Sequence, residues 1–500
     1  MTGPIERLRE RTAELSDLGR ISGLLDWDQQ TMMPPQGGPG RAEGRATIER
    51  LRHELFISGD TGELIDAAEA SLDGADPDSD DARLVRVTAR RREKAVRVPT
   101  ELTAEMARAA SIGQEAWIKA RADSDFASFV PYLERNFELA RRYVDCFEDY
   151  EHPYDVLLDD FEPGLKTSEV VRLFGELKAE LVPMIATLTE NADRLDESAI
   201  PGTFPVDRQR QLVSEIVRRM GFDPSGWRMD DAVHPFATSF GSSDVRITTR
   251  WDESYFPSSL YAAMHECGHG LYEAGIAGEL QRTPIGQTES LGLHESQSRL
   301  WENMVGRSRA FSGVLTPLIA ETLGVQIEPG QLFGAVNRVT PSYIRVEADE
   351  ATYGLHIILR FELEQALIEG RLAVSDLPTA WNDRFRELFG LEVDSDAHGV
   401  LQDVHWSSGI IGYFPTYTLG NLISGHLWER AHQDLPDLDD LIAAGRLSPL
   451  REWLREHVHR HGSKFTSREL LERLGAGPVA VGPFVGYLKA KLGDAYGLEL

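Results

Sequence analysis

Five residues constrain this chain more than any others: His265-Glu266-Cys267-Gly268-His269, an H-E-x-x-H string. Such a string has chemical meaning only on a helix. At 3.6 residues per turn, two imidazoles four apart leave the same face and can share one metal ion, most often zinc. Glu266 sits about 100° round the helix. From there it can reach a water held by the metal without being a ligand itself. A divalent metal brings that water's pKa to about 7, so a neighbouring carboxylate can take its proton during attack on a carbonyl.

The flanks predict the helix. Leu260, Ala263, Met264, Cys267 and Leu271 recur at helical spacing. Pro257 lies just before the expected start, Ser258 or Ser259 is a candidate cap, and Gly275 and Gly278 offer a stop. A catalytic zinc also needs a third protein ligand and an open position. The stretch Leu291 to Trp301 reads as a second helix, joined to the first by a loop containing Thr283-Pro284-Ile285-Gly286. It could return a carboxylate to the two histidines. Spacing alone gives Glu295 only a modest lead over its competitors Glu289, His294 and Glu302. The plain alternative for Glu295 is a surface pair with Arg299 one turn on.

Charge and composition exclude several classes. With 52 Lys and Arg against 81 Asp and Glu, the net charge of −29 opposes binding to nucleic acid or to anionic membrane surfaces. Only Cys146 and Cys267 occur, too few for a secreted disulfide framework. The first twenty residues are charged and amphipathic, without the apolar run of a signal peptide, and nothing apolar is long enough to span a bilayer. A soluble, cytoplasmic protein is expected.

Helical periodicity dominates, over Ile5 to Leu25, Arg41 to Phe56, Asp81 to Val96, Thr100 to Arg121, Pro131 to Phe147, Ser168 to Leu195 and Val206 to Met220. It resumes after Glu295 over Gln297 to Phe311, Val314 to Leu323, Ser342 to Ile368, Thr379 to Leu388, Leu419 to Gln433 and Leu450 to His457. Between these blocks, His234 to Phe240 and Val245 to Trp251 read as a β-hairpin turning at Gly241 to Asp244. The expected fold is mostly α with one small antiparallel sheet beside the metal helix. A soft division near Gly202 to Pro205 separates a helical cover, residues 1–202, from a catalytic region, residues 203–500.

The order of motifs resembles the Taq-type thermostable metallocarboxypeptidases over nearly the whole chain. The matching strings begin with Leu25 to Pro35, His234-Pro235-Phe236, Asp244 to Thr248 and the H-E-x-x-H segment. They continue with His294-Glu295-Ser296-Gln297, Ile344 to Asp349, Gly399 to Trp406 and His457 to Gly462. One departure is Cys267, where the family commonly carries Thr. It faces away from the 265/269 side, and a packing role is expected.

That resemblance implies an elongated helical homodimer with a deep central groove. It implies removal of single C-terminal residues from peptides with a free carboxylate, with broad side-chain tolerance. Glu295 becomes the third ligand to one Zn²⁺ per chain, with Co²⁺ as a substitute, and Glu266 the general base and then acid. Arg345 becomes the clamp for the substrate carboxylate, since a guanidinium fork matches two oxygens. Its plain alternative is a helical pair with Asp349. Arg246 is the second candidate, or else a hairpin brace through Asp244. The Gly-containing stretch His405 to Tyr417 reads as a mobile loop. It supplies His405 and Tyr417 for the oxyanion, with Tyr413 as substitute; the resemblance also implies His234 as a further substrate contact. His457, His459 and His461 are expected to be structural or surface groups. A zinc oligopeptidase cutting internally is the alternative function.

Overall fold

A computed structural model describes residues 3–200 and 202–500 of the chain. Residues 1 and 2 of the expected cover region, and 201 beside its boundary, lie outside the described residues. Helices build almost everything, and their ends show why. Ser79 accepts from the Ala82 amide to cap Asp80–Arg97, and Asp80 and Asp81 fill its first turn. Asp349 caps Glu350–Ile368 by accepting from the amides of Ala351 and Thr352. Ser290 caps Leu291–Arg299 through the Leu293 amide. One continuous apolar core runs from Leu84 to Tyr496. A small separate cluster of Leu8, Ile65, Ala68 and Val85 serves the first helices.

The sheet differs from the expectation. Strands β1 (Trp227–Asp231), β2 (Ala237–Ser239) and β3 (Val245–Thr249) lie in the order β1-β3-β2. The hairpin β2–β3 is antiparallel as expected, with Ala237 opposite Ile247. β1 adds a parallel edge, Trp227 opposite Val245, so the sheet is mixed rather than antiparallel. The run Trp227-Arg228-Met229-Asp230-Asp231 has no clean alternation. Its strand character comes from non-local pairing, which a local pattern does not carry.

The sheet lies on the metal helix, Phe256–Gly275. Gly270 makes the contact possible: a Cβ there would sit 2.5 Å from the Trp227 ring and 3.0 Å from Val245. The helix starts earlier than expected. Pro257 occupies its first turn, where a missing N–H costs nothing. Ser259 is no cap; its hydroxyl donates to Gln209 instead.

The returning helix, Leu291–Arg299, threads between the metal helix and the long helix Pro415–Asp434. Both neighbours present a glycine to it. A Cβ on Gly268 would meet the Gln297 carbonyl oxygen at 2.7 Å and the Ser298 Cα at 2.8 Å. A Cβ on Gly420 would meet the Glu295 side chain at 2.6 Å. The facing serines, Ser296 and Ser298, are fully buried. The seam therefore lets two backbones approach closely enough for short side chains to meet. Beyond Arg299 the chain widens into seven π-helical residues, Leu300–Gly306, before Arg309–Leu323. The single helix expected from Gln297 to Phe311 is therefore broken.

Gly268→Ala tests the seam. Its methyl group meets backbone atoms that cannot rotate away, so a loss of about 1–3 kcal/mol is expected. It would be read as a lower unfolding midpoint together with weaker metal uptake.

Candidate active site

The metal helix and the returning helix bring three donors together. His265 Nε2 lies 3.5 Å and His269 Nε2 3.4 Å from the same oxygen, Glu295 Oε2. The ligand atoms of all three lie within 4.8 Å of one another, and no other such group of His, Cys, Asp and Glu occurs among the described residues. The other Glu295 oxygen accepts from Arg299 Nε at 2.7 Å. Thus Glu295 faces the histidines and also makes the i+4 pair, one role per oxygen. Of its competitors, Glu289 pairs with Arg90 and Arg91. His294 stacks on His269 with ring centroids 4.3 Å apart and reaches Glu273 Oε1 at 3.2 Å.

Glu302 holds a different place. Its Oε2 lies 2.9 Å from His265 Nδ1, the ring nitrogen facing away from Glu295. Arg307 supports the other Glu302 oxygen at 3.0 Å. An acceptor on the far nitrogen fixes a ligating imidazole's tautomer and orientation. The π-helical turn is what aims Glu302 back at His265. Burial opposes ionisation of Glu302, but His265, Arg299 and Arg307 hold its carboxyl well below the usual range.

The donor set fits a dication. Burial disfavours charge on both imidazoles, yet Glu295 and Glu302 keep a proton on His265 up to about 10. Burial, helped by His294, pushes His269 down to about 3. Two rings share one carboxylate and accommodate one proton between them. Glu266 is buried beside them, and burial, with Glu295 nearby, raises it to about 7. Cys267 is fully buried, and burial raises its thiol well above the ordinary value.

A second constellation sits across from the metal ligands. Arg345 is not part of one long α-helix from Ser342 to Ile368 as expected. It lies in a short 3₁₀ helix, Arg345–Glu347, before the Asp349 cap, and Asp349 is committed to that cap. Arg345 instead donates through Nε and Nη2 to Asp403 Oδ1 at 2.9 and 2.8 Å, and through Nη1 to the Tyr353 hydroxyl at 3.1 Å. Arg360 donates to Asp403 Oδ2 at 2.6 Å. Two buried guanidiniums thus share one carboxylate. Tyr353 joins the constellations, because Arg299, the partner of Glu295, lies 4.2 Å over its ring.

His405 Nε2 is 3.3 Å from the Tyr417 hydroxyl, and the Arg345 guanidinium lies 5.0 Å over the Tyr417 ring. Burial pushes His405 down to about 3 against the pull of Asp403, with Arg345 and Arg360 adding to the fall. Burial raises Tyr417 well above the ordinary phenol value and Tyr413 to about 12. Tyr413 packs edge-on against Tyr417 at 5.1 Å. Tyr417 stands in the first turn of Pro415–Asp434, not in a loop. His234 lies on an exposed turn before β2; partial enclosure of its ring, with Arg250 and Arg345 close by, lowers its pKa. Arg246 grips Asp244 with both arms of its fork and stacks 4.3 Å over Trp27. That is the bracing alternative. His459 is buried and meets the Gln297 amide oxygen at 2.8 Å. It supports the returning helix.

Sequence reasoning missed Tyr353, Asp403 and Arg360 as site residues. Asp403 lay within a motif already singled out, but nothing local showed that it faces Arg345. A cavity of about 860 Å³ lies on the far side of Ser408 and Gly409. Its charged lining residues, Arg90, Arg91, Lys94, Asp159, Asp160 and Glu289, are paired with one another.

A mostly helical chain with H-E-x-x-H on one helix and the third donor on the next defines a helical metallopeptidase. Comparison with known proteins narrows the class. The family model described as carboxypeptidase Taq (M32) metallopeptidase matches residues 7–492. Thermostable carboxypeptidase 1 of Thermus thermophilus is 39% identical, covering 98% of this chain and 99% of its own. Carboxypeptidase 1 of Bacillus subtilis is 36% identical over 96% of both. The crystal structure of the M32 carboxypeptidase from Deinococcus radiodurans R1 superposes with a TM-score of 0.95 at 38% identity, covering 99% of this chain and all of that one. The chain belongs to the M32, carboxypeptidase Taq, family of metallopeptidases. It is a metallocarboxypeptidase, and the internally cutting oligopeptidase reading is not favoured.

Glu302→Gln is expected to keep the fold and weaken metal binding about 10–100-fold. Competitive titration against a chromogenic chelator measures it; unchanged affinity would remove Glu302 from the support of His265.

Proposed function

We propose that His265, His269 and Glu295 hold one Zn²⁺, with Co²⁺ as a working substitute, and that Glu266, Arg345, His405 and Tyr417 carry out the removal of single C-terminal residues. The observation that carries this reading is the convergence of the three donors beside a buried, otherwise uncommitted Glu266. When bound, the cation supplies Lewis acidity, which acidifies water and polarises the scissile carbonyl.

Glu266 takes the proton of the attacking water and passes it to the nitrogen of the leaving residue, acting first as base and then as acid. Its pKa of about 7 suits a group that must do both. Arg345 receives the substrate's terminal carboxylate. The Arg345, Arg360 and Asp403 cluster carries one surplus positive charge in a buried setting, and a carboxylate supplies the missing anion. The neutral His405 and Tyr417 donate hydrogen bonds to the carbonyl oxygen as negative charge develops there. Tyr413 stands as substitute for Tyr417, and His234 contacts the peptide from its exposed turn. Arg246 acts as a brace for the hairpin.

The enzyme acts as a cytoplasmic homodimer on peptides. Both cysteines are free, as in a reducing compartment, and the assembly follows from the family resemblance. Among the described residues, no helix is long and apolar enough to cross a membrane.

Glu266→Gln is expected to retain metal and lose about 10²–10⁴-fold in kcat, measured by steady-state hydrolysis with metal content determined in parallel. Near-normal turnover in that variant would refute the base assignment. Timed digestion of one peptide, read by mass, tests direction. A free-acid peptide should give a ladder of single-residue losses that a chelator abolishes, and its C-terminal amide should be nearly inert. Equal rates on acid and amide would overturn the clamp.

A further inference from the structure

The segment from Val404 to Phe414 carries His405 at one end and Tyr413 at the other, and its glycines suggest mobility. The structure shows it held from both sides. Asn136, on the helix Phe126–Val144, donates through Nδ2 to the carbonyls of Trp406 and Ser407 at 2.8 and 2.9 Å. Gly113, on the helix Thr100–Asp123, lies against the same turn so closely that a Cβ would sit 2.5 Å from the Ser407 oxygen. On the opposite side stands Glu364, one turn from the end of Glu350–Ile368 and with no exposed surface. One of its oxygens accepts from the Trp406 indole at 2.6 Å, and the other accepts from the Gly412 amide at 3.1 Å and from the Tyr154 hydroxyl. Gly409 and Gly412 adopt φ of +69° and +93°, so these glycines shape the turn.

We propose that Glu364 is a positioning residue for the reaction: by gripping Trp406 and Gly412, it fixes both ends of the loop and so places His405 and Tyr417 for the oxyanion. Trp406 directly follows His405, and Gly412 directly precedes Tyr413. One rigid carboxylate therefore sets the distance across the loop. Both oxygens are committed as acceptors, one to Trp406 and the other to Gly412 and Tyr154. Burying a carboxylate is costly, and burial pushes Glu364 up to about 7 even with Tyr154, Trp406 and Gly412 holding it down. A core position needing only bulk would not carry that burden.

The inference rests on the assignment of His405 and Tyr417 above, so His405→Phe is measured alongside. Glu364→Gln keeps the shape but turns an NH₂ toward one of the donors. With saturating metal and a free-acid dipeptide series, its kcat should fall about 10–100-fold, the cost of a misplacement near 1 Å. KM should stay within about threefold, because Arg345 is not touched. Hydrogen exchange at the Gly412 amide should speed up in the same variant. Should Glu364→Gln not accumulate as folded protein, Trp406→Phe and Tyr154→Phe each remove one donor and carry the test, with smaller falls in kcat expected. Wild-type kcat in the Gln variant, or in both donor variants, overturns the proposal while a crippled His405→Phe leaves the oxyanion assignment standing. A fully active His405→Phe overturns both. A rise in KM with kcat unchanged assigns Glu364 to the substrate pocket and also overturns it.

Discussion

The buried carboxylate of Glu295 is the interaction on which the rest of the site depends. It stands on a helix pressed between two glycines, Gly268 and Gly420, with its side chain nearly sealed from solvent. A lone carboxylate there would be expelled or protonated. The structure answers with Arg299 on one oxygen and two imidazoles on the other. Glu266, Glu295 and Glu302 face Arg299 and Arg307, leaving one negative charge over. One proton on His265 balances it, and a dication held there in its place would leave one positive charge over. The ligand geometry and the field around it follow from the same packing.

The site is electrically polarised along its length. The metal end is anionic before a cation binds, whereas the Arg345 end carries a surplus positive charge. Between them runs a short rigid path, from Glu295 to Arg299, from Arg299 to the face of Tyr353, and from the Tyr353 hydroxyl to Arg345. A peptide C-terminus presents a carboxylate one residue away from its last amide carbonyl. A cationic fork held at a fixed remove from a Lewis-acid pocket matches that layout. In the proposed mechanism Arg345 and the three metal donors are the two ends of a ruler, and buried Tyr353 joins them. An internal peptide bond has no carboxylate to offer the Arg345 cluster, which would then stay buried with its charge unmet.

What the sequence revealed was what local periodicity encodes. The metal helix, its two imidazoles and the protruding Glu266 followed from a spacing of four and an apolar stripe. Spacing gave Glu295 only a modest lead over Glu289 and Glu302, because the choice is made where two helices touch at Gly268. Arg345 was legible as a candidate, but its partner was not. An i+4 match to Asp349 assumes a continuous helix, and Asp349 gains more by capping the helix that starts after it. The π-helical turn that swings Glu302 toward His265 leaves no periodic trace, since π geometry is a property of packing. Strand β1 was missed for the same reason. Each failure lies where a tertiary contact overrides a local preference.

The helices before Gly202 read as a cover, and their contacts give them a further task. Trp117 donates to the Leu401 carbonyl at 2.9 Å, two residues before Asp403. Asn136 and Gly113 seat the turn that follows His405. Phe137 meets the Trp406 ring edge-on at 6.4 Å. These groups hold, from outside, the strand of backbone that delivers Asp403 to Arg345 and His405 to Tyr417. The three clustered donors, by contrast, are organised by the metal helix, its returning neighbour, the π-helical turn and Gly420 of Pro415–Asp434. In the mechanism proposed above, cation binding and transition-state placement thus draw on partly different parts of the chain. The two constellations meet at Tyr353 and at the helix Pro415–Asp434, which carries both Tyr417 and the Gly420 that packs on Glu295.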